Sequence, residues 1–496
     1  LGNMRDKRYQ RVANAVAGQI SAGLYGPGER LPSLRRLSAQ HRVSISTVVQ
    51  AYRLLEDWGL LIPRPQSGHF VRAKPVRLPV PPDRSNPVPM PTQVTLSHLA
   101  MEVLRANESP GVVPLGTAMP YDGFPGVRLL QRTLASELRR AGPRAVQNEP
   151  PPGLYELRVQ IARRASDAGY AIAPDDIVVT TGCQEALILS LRSVSRPGDI
   201  VAIESPAFYG TLQAIESLNL KALEIPTDPI NGIDLAALEV QLARWPVAAC
   251  ILVPSFSNPT GSRMPDASKQ ALFTLLARHD TTLIEDDIYA DLSYDAGRPM
   301  AVKAFDRDDR VLLCSSFSKT LAPGIRLGWV AAGRRSGTIE HLKFANSGAT
   351  ATWSQLAMAR FLDGGGYDRH LRTARAAYRA QRDRMLDHVF ECFPTGTRAT
   401  CPRGGFLIWV ELPAAVDALA LCRRALSAGL SVAPGPLFSP TRRYRNFIRL
   451  NCARPVDGSV RDALRRLARL MPDCERSEQF GGEIPMDFAA QGGGDG

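Results

Sequence analysis

The sequence predicts a multidomain protein in which a small N-terminal winged helix-turn-helix precedes a much larger α/β domain. Three observations predict this arrangement. Residues 1–77 hold 13 Lys or Arg against 4 Asp or Glu, whereas the rest of the chain is nearly neutral. Seven prolines fall between Lys74 and Pro91, and beyond them short apolar runs alternate with helical stretches. At 496 residues, the chain is long enough for two or three domains.

The basic N-terminal module has the pattern of three helices followed by a hairpin. Val12, Val16 and Ile20 recur at four-residue spacing, which predicts the first helix. Ser33 is a candidate N-cap for a second helix, and "SISTVVQAYRLLEDWG" predicts a third that ends at Gly59. The segment "LLIPRPQSGHFV" then predicts two short strands around a turn. This order describes a winged helix-turn-helix, whose third helix enters the major groove of DNA.

The stretch "GERLPSLRRLSAQHRVSISTVVQAYRLLEDWGLL" resembles the GntR family of bacterial regulators, over roughly residues 8–73. The resemblance implies double-stranded DNA as a partner, and the positive charge of the module suits the phosphate backbone. Ile45 departs from the family pattern, because an arginine that contacts DNA often stands there. A winged helix that binds protein is the alternative. The residues expected to contact DNA are Arg35, Ser44, Ser46, Thr47, Ser67, Gly68 and His69.

Composition sets the expected domain boundaries. Proline fixes φ and removes backbone donors, so the proline-rich segment is expected to be an extended tether outside the core. The Gly-rich, acidic C-terminus is expected to be disordered. The expected parts are a DNA-binding domain at 5–73, a linker at 74–95, a second domain at 96–475 and a tail at 476–496.

Compartment and metal content also follow from the sequence as expectations. The start "LGNMRDKRYQ" lacks the apolar core of a signal peptide, and no apolar run is long enough to span a membrane. We therefore expect a cytoplasmic protein. The eight cysteines are scattered without CxxC pairs, which favours buried free thiols over a disulfide framework or a metal site.

Four apolar runs in the second domain each end in polar residues. They are "DDIVVTTG", "AACILVPSFSN", "TTLIEDD" and "VLLCSSFSK", and helical segments such as "DASKQALFTLLARHD" lie between them. This alternation predicts an α/β domain with a mostly parallel sheet. Ligands bind at the carboxyl ends of the strands in such sheets. We therefore expect the four polar clusters to face one pocket.

The residue types in these clusters match the functional groups of one cofactor. A lysine that attacks an aldehyde must be unprotonated, and burial beside cationic groups lowers its pKa. Ser316, Arg326 and the N-terminus of the helix after the first run suit a phosphate. Asp286 could pair with a ring nitrogen, while Asn258 and Tyr289 could bind a phenolic oxygen. Together these groups indicate pyridoxal 5′-phosphate, whose ring withdraws electrons from carbanions.

The motifs "SNPTG", "IEDDIYADL", "SSFSKTLAPGIRLGW" and "FIRLNCARP" resemble, in this order, fold-type I aminotransferases of class I/II over about residues 110–475. The resemblance implies a smaller C-terminal α+β subdomain at about 371–475. It implies that Lys319 forms the internal aldimine, that Phe208 stacks on the ring, and that Arg449 binds a substrate carboxylate through its planar guanidinium. The other implied cofactor contacts are Asp286, Asn258, Tyr289, Ser316, Arg326 and the amides of Cys183 and Gln184.

A winged helix before an aminotransferase-like domain resembles the MocR branch of the GntR regulators. This resemblance implies a head-to-tail homodimer in which pyridoxal phosphate, or its external aldimine with an effector amine, modulates DNA binding. Asn148 stands where relatives often have a tyrosine that reaches the partner's phosphate. One alternative is an active aminotransferase with an accessory DNA-binding domain. Another takes Ser316 and Lys319 as the acylating pair of a penicillin-binding protein, but no Lys-Thr-Gly motif accompanies them.

Overall fold

A computed structural model describes residues 8–21, 24–25, 28–64, 67–71, 79–107, 111–295 and 297–474. The chain divides into two compact units, Leu1–Leu78 and Pro79–Gly496. The expectation of disorder at 476–496 and the first part of the expected linker, 74–78, lie outside the described residues. Within the described ranges, no helix is both long enough and apolar enough to cross a membrane.

The first unit has the predicted three helices and two-stranded hairpin. Ser33 is the N-cap of the second helix and accepts a hydrogen bond from the amide of Arg36 at 3.3 Å. Val12, Val16 and Leu37 are buried in its core, which Ile20 borders. The winged helix-turn-helix prediction is therefore confirmed. The elements are α1 (Arg8–Ser21), α2 (Leu34–His41), α3 (Ile45–Asp57) and the antiparallel pair β1 (Leu61–Arg64) and β2 (Gly68–Val71).

The second unit is an α/β domain with two main sheets. Its strands are β3 (Thr92–Gln93), β4 (Val113–Pro114), β5 (Ile177–Thr180), β6 (Ile200–Ser205), β7 (Lys221–Asp228), β8 (Gly232–Ile233), β9 (Val247–Leu252), β10 (Thr282–Asp286), β11 (Val311–Ser316), β12 (Gly328–Ala331), β13 (Arg398–Ala399), β14 (Leu407–Glu411), β15 (Leu430–Ser431), β16 (Ala433–Pro434) and β17 (Phe447–Asn451).

The helices of the second unit pack against its sheets and against one another. They are α4 (Ser97–Asn107), α5 (Pro125–Ala141), α6 (Tyr155–Ala165), α7 (Cys183–Val194), α8 (Tyr209–Ser217), α9 (Leu235–Arg244), α10 (Asp266–Arg278), α11 (Ser336–Ser347), α12 (Thr352–Asp363), α13 (Gly366–Cys392), α14 (Ala418–Ser427) and α15 (Gly458–Leu470). Val201 and Ile203 of β6 belong to one buried cluster, whereas Ile200 and Ala202 belong to another. Alternate residues of a strand point to opposite faces, so both faces of the sheet are buried.

The larger sheet has nine strands in the order β3-β7-β6-β9-β10-β11-β12-β5, with β8 paired to β7. The pairs among β7, β6, β9, β10 and β11 are parallel, as predicted. Strand β12 is antiparallel to both of its neighbours. The second sheet, β13-β14-β17-β16, is antiparallel and lies in the C-terminal part of the chain. This arrangement confirms the predicted α/β domain with a mostly parallel sheet.

Residues 79–95 differ from the expected free tether, because they belong to the second unit and pack against the rest of it. The Asp83 carboxylate accepts two hydrogen bonds from Arg398 at 2.6 Å each. The hydroxyl of Ser85 accepts from the amide of Thr227 at 2.7 Å, and β3 pairs with β7. Prolines leave the segment extended, but they do not prevent it from serving as an edge of the sheet, where missing N–H donors cost little.

Candidate functional site

The carboxyl ends of the parallel strands bring the predicted cofactor residues together. Asp286 is the last residue of β10, and Lys319 lies three residues after β11. The two face a cavity of about 130 Å³, and all nine residues predicted to contact the cofactor line it. The nine are Cys183, Gln184, Phe208, Asn258, Asp286, Tyr289, Ser316, Lys319 and Arg326.

Lys319 is half-buried and lines both this cavity and a second one. Its Nζ donates a hydrogen bond to the carbonyl of Ala118 at 2.6 Å. Loss of solvation, together with the positive charge of Arg449, lowers its pKa to about 8, although Asp286 opposes this change. A lysine with that pKa is partly unprotonated near neutral pH, as a nucleophilic amine requires.

Asp286 lies on the floor of the first cavity and is 3% exposed. Its Oδ1 accepts hydrogen bonds from the Cys183 thiol at 3.4 Å and from the Ile288 amide at 3.3 Å. Burial raises the pKa of this carboxyl to about 7. The carboxylate is therefore poised to ionise when a positive charge comes next to it.

Asn258 and Tyr289 line the first cavity, and Arg449, which lines the second cavity, bonds to Asn258. Arg449 is 1% exposed, and its guanidinium donates to Asn258 Oδ1 at 2.9 Å and to the carbonyl of Gly116 at 2.6 Å. The hydroxyl of Tyr289 is buried and has no hydrogen-bond partner among the described residues. Burial raises its pKa, so the phenol keeps its proton and remains a hydrogen-bond donor.

One end of the cavity, at the start of α7, carries groups suited to an anion and is the candidate anion-binding end. Gly182, at the N-cap with φ 92°, has no side chain to cap the helix, so the amides of Cys183 and Gln184 lie at its positive end. Arg326 donates to the carbonyl of Thr181 at 2.9 Å, which places its guanidinium beside this turn. An ideal Cβ on Gly182 would lie 2.7 Å from Arg326 Nη2. The absence of a side chain at Gly182 therefore permits the close approach of the Arg326 guanidinium to the start of α7.

Ser316, on β11, also lines this cavity and belongs to the candidate anion-binding end. It ends β11, is 2% exposed, and its hydroxyl accepts a hydrogen bond from the amide of Ser318 at 3.2 Å. That bond orients the oxygen and leaves its proton available to an anion. Phe208 lies on the loop before α8, and its ring centroid is 4.7 Å from that of Tyr209.

A second cavity of about 430 Å³ opens on the other side of Lys319. Arg449 and Asn451 line it from β17, and Tyr209 lines it from α8. Asn451 Nδ2 donates to the carbonyl of Met119 at 2.8 Å and so holds the loop whose carbonyls bind Lys319 and Arg449. Tyr209 and Asn451 were not predicted from the sequence as residues of the site. Period-two alternation in "FIRLN" could have placed Asn451 on the face of Arg449.

The predicted DNA-contacting residues lie on three elements of the first unit. Arg35 is exposed on α2, and Ser44, Ser46 and Thr47 begin α3. The Ser44 hydroxyl accepts from the Thr47 amide at 3.2 Å and lies 2.8 Å from the Ser46 hydroxyl. It is therefore engaged as the N-cap of the helix. Ile45, the residue that departs from the GntR pattern, is 46% exposed at the first position of α3.

The wing residues differ in their accessibility. Ser67 is exposed in the turn before β2, and Gly68 has φ 103°, a conformation that favours glycine. The His69 ring, in contrast, lies 3.0 Å from Glu56 Oε1 and packs edge-on against Tyr52, both of α3. It holds the wing to the helix, so contact of this side chain with DNA stays a prediction. In the second unit, Asn148 is exposed on the loop that follows α5.

Comparison with known proteins places both units in families. Residues 119–467 match the family described as aminotransferase class I and II, and residues 8–71 match the gntR family of bacterial regulatory proteins. The uncharacterized HTH-type transcriptional regulators YjiR and YdcR of Escherichia coli strain K12 are 42% and 40% identical. The alignments cover 93% and 94% of this chain, and 98% and 99% of those proteins.

Solved structures resemble the second unit. The kynurenine aminotransferase of Pyrococcus horikoshii is 30% identical, with a TM-score of 0.70 over 76% of this chain and 94% of that protein. LysN, the α-aminoadipate aminotransferase of Thermus thermophilus, is 27% identical, with a TM-score of 0.69 over 77% of this chain and 99% of that protein. The chain therefore belongs to the aminotransferase class I and II family and, through its N-terminal GntR domain, to the MocR-type branch of the GntR regulators.

Proposed function

We propose that this protein is a transcriptional regulator whose aminotransferase-like domain binds pyridoxal 5′-phosphate, and that the cofactor or its adduct with an amine changes DNA binding by the winged helix. The observation that carries the proposal is the single cavity lined by all nine predicted cofactor residues. The regulatory part of this proposal is supported by YjiR and YdcR, which are named as transcriptional regulators and match nearly the full chain.

The polar groups of the cavity fit the functional groups of this cofactor. Buried polar atoms normally have partners, so the unpartnered Tyr289 hydroxyl suits a phenolic oxygen. The uncapped start of α7 and the guanidinium of Arg326 suit a phosphate. Asp286 suits a protonated ring nitrogen, because a buried carboxylate is stable beside a positive charge.

Bound pyridoxal phosphate would supply an aldehyde that reacts with amines and a ring that withdraws electrons from bonds at the amine carbon. Lys319 would anchor it, since its lowered pKa leaves part of the amine unprotonated. Asp286 would hold positive charge at the ring nitrogen, and Phe208 would cover one face of the ring. Arg449, buried beside Asn258, would orient a carboxylate at the edge of the cavity.

The same proposal specifies partners. A head-to-tail homodimer would bind double-stranded DNA in the cytoplasm through its two winged helices, using Arg35, the start of α3 and the wing. A ligand can change DNA affinity only if it binds one arrangement of the dimer more tightly than another. The buried guanidinium of Arg449 favours an effector amine that carries a carboxylate, such as an α-amino acid.

A second candidate function is catalytic transamination. The complete set of cavity residues, together with Arg449, favours it, because an enzyme of this family needs the same groups. Turnover of an amino acid and a 2-oxo acid by the purified protein would support this alternative. Regulation predicts instead that an amine changes DNA affinity at protein concentrations where no product accumulates.

The test is an absorbance titration of the full-length protein with pyridoxal phosphate, followed by DNA-binding measurements with and without cofactor and a panel of amino acids. We expect a visible absorbance band in the wild type that is absent from Lys319→Ala and retained in Lys221→Ala, an exposed lysine outside the cavity. A wild type without such a band would refute cofactor binding. A normal band with DNA affinity that no ligand changes would refute the regulatory half.

A further inference from the structure

Thr320, the residue that follows Lys319, is held by two side chains of α13. The hydroxyl oxygen of Tyr367 lies 2.8 Å from Thr320 Oγ1, and His370 Nε2 lies 2.7 Å from the carbonyl oxygen of Thr320. All three residues are at most 3% exposed. Positions three apart lie on the same face of a helix, so one turn of α13 forms hydrogen bonds with both the side chain and the backbone of Thr320.

The chemistry of these groups fixes the direction of each hydrogen bond. A carbonyl oxygen only accepts, so His370 donates from Nε2, and burial lowers its pKa and keeps the ring neutral. Tyr367 Oη also lies 2.9 Å from Asp291 Oδ2. Its single proton goes to this carboxylate, because Asp291 can only accept when ionised. Tyr367 therefore accepts from the Thr320 hydroxyl and joins Thr320 to Asp291.

The network of polar contacts continues from Asp291 to Asp287, the residue that follows Asp286. Arg298 donates from Nε to Asp291 Oδ1 at 2.7 Å, and its other end pairs with Asp287. Burial alone would raise the pKa of Asp291, but Arg298 and Arg164 hold it below the ordinary value. The residues next to Lys319 and Asp286 are thus tied to one buried network, made of Thr320, Tyr367, Asp291, Arg298 and Asp287.

We propose that Tyr367 is a positioning residue that fixes the Lys319 amine relative to Asp286 by holding Thr320. The inference rests on the proposed function, since it concerns the same cofactor site. A lysine side chain is flexible, so the place of its amine depends on how firmly the backbone beside it is held. Helix α13 continues into the C-terminal subdomain, where Gln381 accepts from the Val456 amide at 2.7 Å. Movement of the subdomain that carries Arg449 would therefore reach Thr320 through this helix.

The test compares Tyr367→Phe, Thr320→Val, the double variant and Tyr378→Phe in the full-length protein. Tyr378 is the matched control, because it is a fully buried tyrosine of α13 whose hydroxyl bonds the Tyr121 amide and does not reach Thr320. Each protein is titrated with pyridoxal phosphate, and the midpoint of the pH dependence of the visible band is measured. A merely structural role for Tyr367 would leave that midpoint unchanged.

We expect Tyr367→Phe and Thr320→Val each to weaken cofactor binding about tenfold, as expected for one buried hydrogen bond, and to shift the pH midpoint in the same direction. The double variant should be no worse than Tyr367→Phe, because Thr320→Val removes a contact that Tyr367→Phe has already lost. If Tyr367→Phe does not fold, Thr320→Val carries the test alone. A wild-type midpoint in folded Tyr367→Phe or Thr320→Val would overturn this inference only. A wild type without the band would overturn the proposed function as well.

Discussion

The pKa of Lys319 gives the sharpest quantitative prediction for this site. Burial and the nearby charge of Arg449 lower it from an ordinary 10.5 to about 8. At pH 7 an amine with a pKa of about 8 is roughly 10% unprotonated, whereas an ordinary lysine is roughly 0.03% unprotonated. Lys319 should therefore offer roughly 300-fold more reactive amine than an ordinary lysine at neutral pH, before any cofactor binds.

The measurement is competitive acetylation of the cofactor-free protein from about pH 6 to about pH 11, a range that spans both pKa values. Acetic anhydride reacts only with unprotonated amines, and mass spectrometry quantifies the peptide that contains Lys319. Labelling of the exposed Lys221 serves as the internal reference for reagent concentration. We expect half-maximal reactivity of Lys319 near pH 8.

Two substitutions test the cause of the shift, because they act in opposite directions. Arg449→Leu removes a positive charge that disfavours the ammonium form, so the midpoint of Lys319 should rise. Asp286→Asn removes a negative charge that favours the ammonium form, so the midpoint should fall. A wild-type midpoint near 10.5, or two variants that move it in the same direction, would refute this electrostatic account.

Three further predictions concern the anion-binding end, the winged helix and a buried acid. Gly182→Ala should weaken the binding of pyridoxal phosphate about tenfold in an absorbance titration, because the added Cβ would displace Arg326. Gly198→Ala is the control and should leave binding unchanged, because Gly198 has a similar φ of 95° and no described atom within 4 Å of its Cβ. Ser33→Ala should lower the free energy of unfolding of the first unit by about 1 kcal/mol in urea, as the loss of an N-cap does. An unchanged urea midpoint of unfolding would contradict the stabilising role of this N-cap. Burial raises the pKa of Glu204 to about 7, so folding binds a proton between pH 4.5 and 7, and stability falls as pH rises through that window. Glu204→Gln should reduce this fall by up to about 3 kcal/mol in urea unfolding at both ends of the window, and an unchanged fall would exclude Glu204 as its source.

Local patterns in the sequence were sufficient to predict most of the individual elements. The N-cap at Ser33 and the strand that ends at Asp286 lie where the sequence predicts them, and the apolar run before Lys319 is a strand that ends three residues earlier, at Ser316. These features depend on residues close together in the chain. For the same reason the order of three helices and a hairpin in the first unit could be predicted.

Contacts between distant segments required the tertiary structure. The pairing of Arg449 with Asn258 joins residues 191 positions apart, and the contact of Tyr367 with Thr320 joins residues 47 positions apart. Such contacts depend on strand order, register and helix orientation, which many segments determine jointly. The packing of residues 79–95 against the rest of the second unit is of the same kind, because proline content predicts an extended chain but not the surface along which it runs.

The sequence by itself determined the order of the two domains, the residue types of the site and the chemistry that those types can perform. Only the tertiary structure decided which of these residues share a cavity, which charges lower the pKa of Lys319, and that the ring of His69 contacts α3. The physical reason is that the identity of a side chain sets what it can donate, accept or attack, whereas its pKa and its partners are set by the groups that folding brings within a few ångströms of it.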